Sequence, residues 1–248
     1  MKTPIDAAAQ LAITTLTSRA PEATELASLF KSAGYKLALV GGPVRDAILG
    51  RLGNDLDFTT DAHPKDCEKI LNKWADSVWD IGAAFGTVAG KKGEITVEVT
   101  TYRSESYDSS SRKPNVEFGK TIEGDLARRD FTINAMALEL TTPEPTFIDL
   151  FNGVADLQNK LIKTPGKAEE SFSDDPLRMM RAARFMSQLN FEIDPSVLVA
   201  IKSMATRLEI ISFERIRDEF IKILMSPSPR IGITVLVETG LADYFLPE

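Results

Sequence analysis

The chain is poor in the residues that most often carry metal and nucleophilic chemistry. Among 248 residues there is one cysteine, Cys67, and one histidine, His63. A single cysteine excludes an intrachain disulfide and any cysteine-based zinc site. A single histidine excludes His-rich metal sites, and serine–histidine catalysis anywhere else in the chain. His63 precedes Pro64 at an expected helix start, and both it and Cys67 read as structural. Positive charge is also scarce: 29 Lys and Arg against 36 Asp and Glu leave a net charge of −7. That argues against a generic basic nucleic-acid coat, but not against a local basic surface that holds a nucleic-acid substrate. No apolar run is long enough to span a membrane and the N-terminus carries no signal-peptide pattern, so a cytoplasmic location is expected. The hydrophobic content, 43%, suffices for one good core or for a main domain with a smaller one.

What is present is concentrated in residues 36–61, KLALVGGPVRDAILGRLGNDLDFTTD. Leu37 to Val40 is a short apolar run ending in Gly41-Gly42, the pattern of a buried strand feeding a tight turn. Pro43 suits the first position of a helix over Val44 to Leu49, and Gly50 suits its C-terminal cap. A second strand follows at Asn54 to Thr59. Alternation along it puts Asp55 and Asp57 on one face and Leu56 and Phe58 on the other, with the carboxylates about 6.6 Å apart at ~3.3 Å per residue. Two such carboxylates can share hard divalent cations, Mg²⁺ above all, which sit roughly 3.5–4 Å apart in phosphoryl-transfer sites. Gly41 and Gly42 open a helix whose backbone N–H groups can hold an anion, and Arg45 in its first turn can reach the same phosphates. Each feature alone is common; the order and spacing carry the reading.

Farther along, Ile5 to Ser18 and a shorter stretch around Leu26 and Phe30 read as amphipathic helices, as does Pro64 to Trp74 with Cys67, Ile70, Leu71 and Trp74 inward. Thr87 to Gly90 and Ile95 to Thr101 read as a hairpin. Glu98 then lies on the polar face of its strand: either a third carboxylate that assists the metals or deprotonates an attacking hydroxyl, or an ordinary solvent-facing side chain. Residues 102–118 are polar and serine-rich and read as a long loop. In DLARRDFTINAMA, Arg128 and Arg129 suit phosphate oxygens, while Asp130 and Asn134 can bind ribose hydroxyls. From Glu169 the pattern is all helical, with a helix start expected at Phe172 to Pro176 and Asp175 and Arg178 on one helix face. An Arg–Asp pair there is either a surface salt bridge or a reader of bases. Its donors and acceptors complement the Watson–Crick edges of cytosine and adenine, whereas uracil and guanine would leave the buried pair unmatched at roughly 1–3 kcal/mol per group. Arg181 and Arg184 follow at intervals of three and either steady the site or approach RNA phosphates.

GGPVRDAILGRLGNDLDFTT resembles the signature of the template-independent nucleotidyltransferases of the DNA polymerase beta superfamily. More closely, it resembles the bacterial-type (class II) CCA-adding tRNA nucleotidyltransferases and the bacterial poly(A) polymerases. RRDFTINAMA is similar to the family's second motif, DLFNGVADLQNKLIKTPG with Gly153 and Asp156 to its hinge motif, and DDPLRMMRAARF to its EDxxR motif, with Asp174 where Glu is usual. The resemblance covers most of the chain. It implies an α/β (α+β) nucleotidyltransferase head of about five strands over residues 1–165, followed by an all-α neck and partial body over 166–248. It implies Asp55 and Asp57 as Mg²⁺ ligands, Glu98 as the third carboxylate, and Gly41, Gly42, Arg45 and Arg129 around the triphosphate. Asp130 and Asn134 would serve the sugar and organise the site, Asp175 and Arg178 would read the base, and Arg181 would steady the nucleotide site. Arg103, Glu105, Asp108 and Arg112 resemble the charged residues of a flexible loop associated with accommodating the terminal A. Family members normally continue into further helical regions that grip the tRNA body, so the end at Glu248 implies a truncated or minimal form. The expected reaction is addition of C, C and A to a tRNA 3′ end from CTP and ATP. The alternatives are a poly(A) polymerase using ATP alone and a non-catalytic RNA-binding derivative.

Overall fold

A computed structural model of the chain describes residues 3–82, 86–106, 115–119 and 121–246. They divide into two compact units, the first holding 3–106, 115–129 and 133–155, the second 130–132 and 156–246. No described helix is long and apolar enough to cross a membrane.

The first unit opens with helices α1 (Pro4–Arg19) and α2 (Glu22–Ser32), followed by β1 (Leu37–Val40), α3 (Gly42–Ile48), β2 (Asp55–Thr60), α4 (Pro64–Trp74), β3 (Ser77–Gly82), β4 (Thr87–Lys92) and β5 (Ile95–Thr101). Next come β6 (Arg103–Ser106), β7 (Asn115–Phe118), α5 (Ile122–Ala127), β8 (Met136–Glu139), β9 (Thr146–Asp149) and α6 (Gly153–Gln158). Seven of these strands form one sheet in the order β3-β4-β5-β2-β1-β8-β9. Every neighbour is antiparallel except β2 and β5, which run parallel. β1 is buried along its whole length, as a central strand covered on both faces must be. β2 instead alternates: Asp55 and Asp57 are exposed, Leu56 and Phe58 buried. α4 buries Cys67, Ile70, Leu71 and Trp74, the four expected inward residues. Burial pushes the Cys67 thiol up to about 12, which makes it a packing residue rather than a nucleophile.

The mixed α/β head is as expected, but its sheet has seven strands where about five were anticipated. β3 and β9 lack clear alternation, and β8 straddles the end of the RRDFTINAMA motif with three buried residues, Met136, Ala137 and Leu138. The helix after the glycines starts at Gly42, so Pro43 stands one position inside it; Gly50 has φ +69°, as a C-terminal cap requires. The ends of the expected long loop pair as an antiparallel ribbon, β6 with β7, which places Glu105 on β6. Asp108 and Arg112 lie outside the described residues. In the hinge motif the expected strand, turn, helix and strand are all present, and Asp149 caps α6 by accepting from the Gly153 and Val154 N–H groups at 2.7 and 2.9 Å.

The second unit contains β10 (Leu161–Ile162), α7 (Ala168–Asp174), α8 (Leu177–Leu189), β11 (Glu192–Ile193), α9 (Pro195–Met204), α10 (Phe213–Leu224) and α11 (Pro229–Glu238). The helix start expected at Phe172 to Pro176 is present at the end of that stretch, where Pro176 is the N-cap of α8; the residues before it are the last turn of α7 and a break at Asp175. Pro176 disfavours helical backbone at the residue before it, and Asp175 is extended at φ −140°, ψ 99°. α8 buries Leu177, Met179, Met180, Ala182, Ala183 and Phe185. α11 approaches it closely at Gly232, where an added Cβ would stand 2.1 Å from Ser187 Oγ and 3.0 Å from the Ala183 carbonyl. Gly232→Ala is therefore expected to destabilise the protein by ~1–3 kcal/mol through overpacking. Denaturant unfolding measures this, and an unchanged midpoint would contradict the packing described.

Candidate functional site

Two groups of predicted residues are brought together, one in each unit. In the first, the strand alternation of β2 projects Asp55 and Asp57 from the sheet. Glu98 is the direct partner of Asp57 on the parallel neighbour β5, so its side chain emerges on the same face. Partial shielding from water, then the charges of Asp57 and Asp55, raise the Glu98 pKa above the usual carboxylate value. Three carboxylates crowded this way form a negative focus that a cation would relieve.

The glycine turn lies against this face. Gly41 has φ +74°, a conformation that L side chains rarely adopt. A Cβ there would come within 2.9 Å of Arg129 Nη1 and 3.9 Å of Asp57 Oδ2. The bare backbone is thus what lets a guanidinium and a carboxylate meet at the turn. Arg129 is aimed by Asp125, a fully buried carboxylate of α5. Asp125 accepts from Arg129 Nη2 at 3.1 Å and from Arg128 Nη2 at 2.7 Å. Burial, its largest single influence, pushes the Asp125 pKa up, but Arg129 and Arg128 together overcome it and hold it below the usual carboxylate range. Asp125 was not singled out from the sequence, although its spacing of three and four from the two arginines is the signal that reveals it.

Arg45 and Asn134 also converge on the turn, but through each other. Arg45 is only 7% exposed. Its Nη1 donates to Asn134 Oδ1 at 2.7 Å, and its Nε and Nη2 donate to Asp46 at 3.0 and 2.9 Å. Its Nη2 lies 3.5 Å from where a Gly42 Cβ would stand. The guanidinium therefore braces α3 and the glycine turn against the segment that leads into β8.

A divalent cation fits this donor set. Among the described residues no cluster of three or more His, Cys, Asp or Glu side chains could hold a metal ion by itself. Mg²⁺ is characteristically held by one or two carboxylates together with substrate phosphates rather than in an all-protein cage. Asp55 and Asp57 can supply those two carboxylates.

In the second unit, Asp130 and Arg181 form a two-pronged pair: Arg181 Nε and Nη2 donate to Asp130 Oδ2 at 2.8 and 2.5 Å. The Phe131 N–H occupies Oδ1 at 2.8 Å. The Asp130 charge raises the Arg181 pKa further. Arg181 and Asp130 were read as separate contributors; their side chains work as one.

Asp175 and Arg178 do not share a helix, because Asp175 caps α7 and Arg178 stands in the first turn of α8. Asp175 Oδ1 accepts from the Leu177 N–H at 3.2 Å, and Oδ2 accepts from Arg215 of α10 at 3.0 Å. Arg178, 8% exposed, donates from Nη1 to Ser171 Oγ at 2.9 Å and to the Ser171 carbonyl at 3.4 Å. Arg207 donates to the Ser173 carbonyl at 3.0 Å. Three arginines thus converge on the C-terminal end of α7, whose partial negative charge favours cations. Arg207 and Arg215 are distant from the motif residues in sequence, and Ser171 lies just before them, but nothing in the sequence pattern marks any of the three. Arg184, read as either structural or RNA-facing, pairs at 2.6 Å with the buried Glu219 of α10 and stacks 4.1 Å from the Phe185 ring centre. It is a packing residue between helices.

Known proteins are similar to this chain over most of its length. The "Poly A polymerase head domain" family matches residues 37–163, and the "Probable RNA and SrmB- binding site of polymerase A" family matches 190–248. The CCA-adding enzyme of Levilactobacillus brevis is 42% identical over 229 residues, which is 90% of this chain and 56% of that protein. Among solved structures, the Bacillus stearothermophilus CCA-adding enzyme in complex with CTP superposes with a TM-score of 0.79 at 36% identity, over 98% of this chain and 54% of the other. The Thermotoga maritima CCA-adding enzyme complexed with tRNA-CCA gives 0.76 at 27% identity, over 91% of this chain and 52% of the other. The chain spans about half the length of the curated relatives it matches. With the head-domain match running from the strand before the glycine turn into the hinge motif, the chain belongs to the CCA-adding enzyme and poly(A) polymerase family.

Proposed function

We propose that this chain is the catalytic and base-reading part of a CCA-adding tRNA nucleotidyltransferase that works in the cytoplasm. The observation that carries the reading is that the Arg129 guanidinium and the Asp57 carboxylate stand 2.9 and 3.9 Å from where a Gly41 Cβ would be, beside the strand of paired carboxylates. The relatives named above are all CCA-adding enzymes, and one of them is bound to CTP and another to tRNA.

The reaction is attack of the tRNA 3′-hydroxyl on the α-phosphorus of CTP or ATP. A new oxygen–phosphorus bond forms, the bond to the bridging oxygen of the β-phosphate breaks, and pyrophosphate leaves. Mg²⁺, when bound, supplies the charge that activates the hydroxyl and steadies the leaving group. Asp55 and Asp57 hold it. Glu98 either adds to that hold or accepts the hydroxyl proton. Arg129, aimed by Asp125, and the Gly41 and Gly42 backbone bind the triphosphate, with Arg45 and Asn134 bracing the turn. Asp130, tied to Arg181, faces the ribose, and Asp175 and Arg178 accept cytosine or adenine.

The first test is incorporation into a tRNA transcript that lacks its 3′ CCA. CTP alone is expected to add two C residues, and ATP supplied afterwards a single A. A long ladder from ATP alone would assign a poly(A) polymerase instead, the reading that the head-domain match also permits. No incorporation from any nucleotide would sink the catalytic reading. A second expectation concerns the turn: Gly41→Ala forces a Cβ against Arg129 and should lower the single-turnover rate about a hundredfold, as misplacement by an ångström does. A wild-type rate in that variant would show that the glycine serves only the fold.

A further inference from the structure

The face that bears the carboxylates does not end at Glu98. The register carries it on to the edge of the sheet. Asp57 is paired with Glu98, Glu98 with Ala89 of β4, and Ala89 with Trp79 of β3. In the neighbouring row Asp55 is paired with Thr96, Thr96 with Lys91, and Lys91 with Ser77. Residues paired directly across strands project to one face, so both rows share the face of Asp55 and Asp57. At ~4.8 Å per strand, Trp79 stands about 14 Å from Asp57 along its row, and Lys91 about 10 Å from Asp55 along the other. Glu98 and Lys91 are exposed, and Trp79 is 39% exposed on a strand at the end of the sheet. An exposed indole beside an exposed ammonium matches the two parts of a single-stranded nucleic acid, a flat base and a phosphate.

The geometry of the reaction gives this strip a direction. The glycine turn follows β1, on one side of Asp57, and β5 with Glu98 lies on the other. Phosphoryl transfer places the attacking and leaving oxygens roughly in line, on opposite sides of the phosphorus. With the triphosphate held at Gly41 and Arg129, pyrophosphate leaves on the β1 side. The attacking hydroxyl then arrives over β5, and the strand that carries it extends over β4 and β3. We propose that the strip from Glu98 to Trp79 receives the 3′ end of the acceptor RNA. The terminal nucleotide lies over Glu98, Lys91 meets a backbone phosphate, and Trp79 stacks on a preceding base. The proposal rests on the triphosphate placement given above. Stacking is tolerant of sequence, because every base has a π-face. A platform of that kind suits an RNA end whose last base changes with each addition.

The test is equilibrium binding of a tRNA transcript ending in CC, over a range of salt, to the full chain and to Trp79→Ala, Trp79→Phe and Lys91→Ala. Binding of CTP is measured beside it. Trp79→Ala is expected to raise the RNA dissociation constant about tenfold, within the range for loss of one base–aromatic stack. Trp79→Phe, which keeps a ring, should recover most of that. Lys91→Ala should make the slope of log affinity against log salt shallower by about 0.7, the single-strand value for one phosphate contact. CTP affinity should be unchanged in all three. Unaltered RNA affinity in Trp79→Ala and an unaltered salt slope in Lys91→Ala would overturn the proposal and leave the nucleotidyltransferase reading standing. Equal losses in Trp79→Ala and Trp79→Phe, or a matching loss of CTP affinity, would also overturn it, by showing that these residues serve the fold. If the unaltered chain neither binds the transcript nor extends it, the nucleotidyltransferase reading fails and the proposal with it.

Discussion

The two-residue repeat of β2 is the constraint on which the rest of the first unit depends. One face of the strand must be apolar, because Leu56 and Phe58 are part of the core. The other must then carry Asp55 and Asp57 together, away from that core. A slip of one residue in the pairing with β1 or β5 would bury both carboxylates and expose both apolar side chains. Register is therefore enforced by the hydrophobic effect, and the carboxylate geometry follows from it without cost. The parallel pairing with β5 brings Glu98 beside Asp57 by the same logic.

In each unit the chain uses buried or half-buried arginine–carboxylate pairs as its positioning device. Asp125 aims Arg129, Asp130 is clasped by Arg181, and Glu219 ties Arg184 of α8 to α10. Arginine suits the task because its fork engages both oxygens of a carboxylate or two partners at once. Such pairs add little net stability compared with apolar packing, but losing one partner leaves a buried charge and costs ~3–5 kcal/mol. Their value lies in fixed direction. The net charge of −7 is compatible with phosphate binding for that reason: the arginines that matter are held in place rather than spread over the surface.

Much of this was legible in the sequence, and the boundary of what was legible has a physical cause. Periodicity and turn residues identified β2, α4, the β4–β5 hairpin and the glycine turn, because each obeys a local rule. Short strands such as β8 obey none: three buried residues look the same in a strand, a helix or a loop. The start of α8 at Pro176 was legible from the proline and the acidic residues before it, whereas the end of α7 in those same residues was not, since they suit both. Contacts made across elements, such as Arg45 with Asn134, Arg215 with Asp175 and Ser171 with Arg178, span from 7 to 89 positions and leave no local trace.

The central claim is that the carboxylates of β2 carry the chemistry. Its most direct test is the single-turnover rate of nucleotide transfer by Asp57→Asn, a nearly isosteric change on an exposed strand position that spares the fold. The account predicts a fall of at least about a thousandfold, the several kcal/mol that metal stabilisation of the transition state supplies, with the thermal unfolding midpoint unchanged. Transfer at the wild-type rate would contradict it and would move the catalytic centre away from β2.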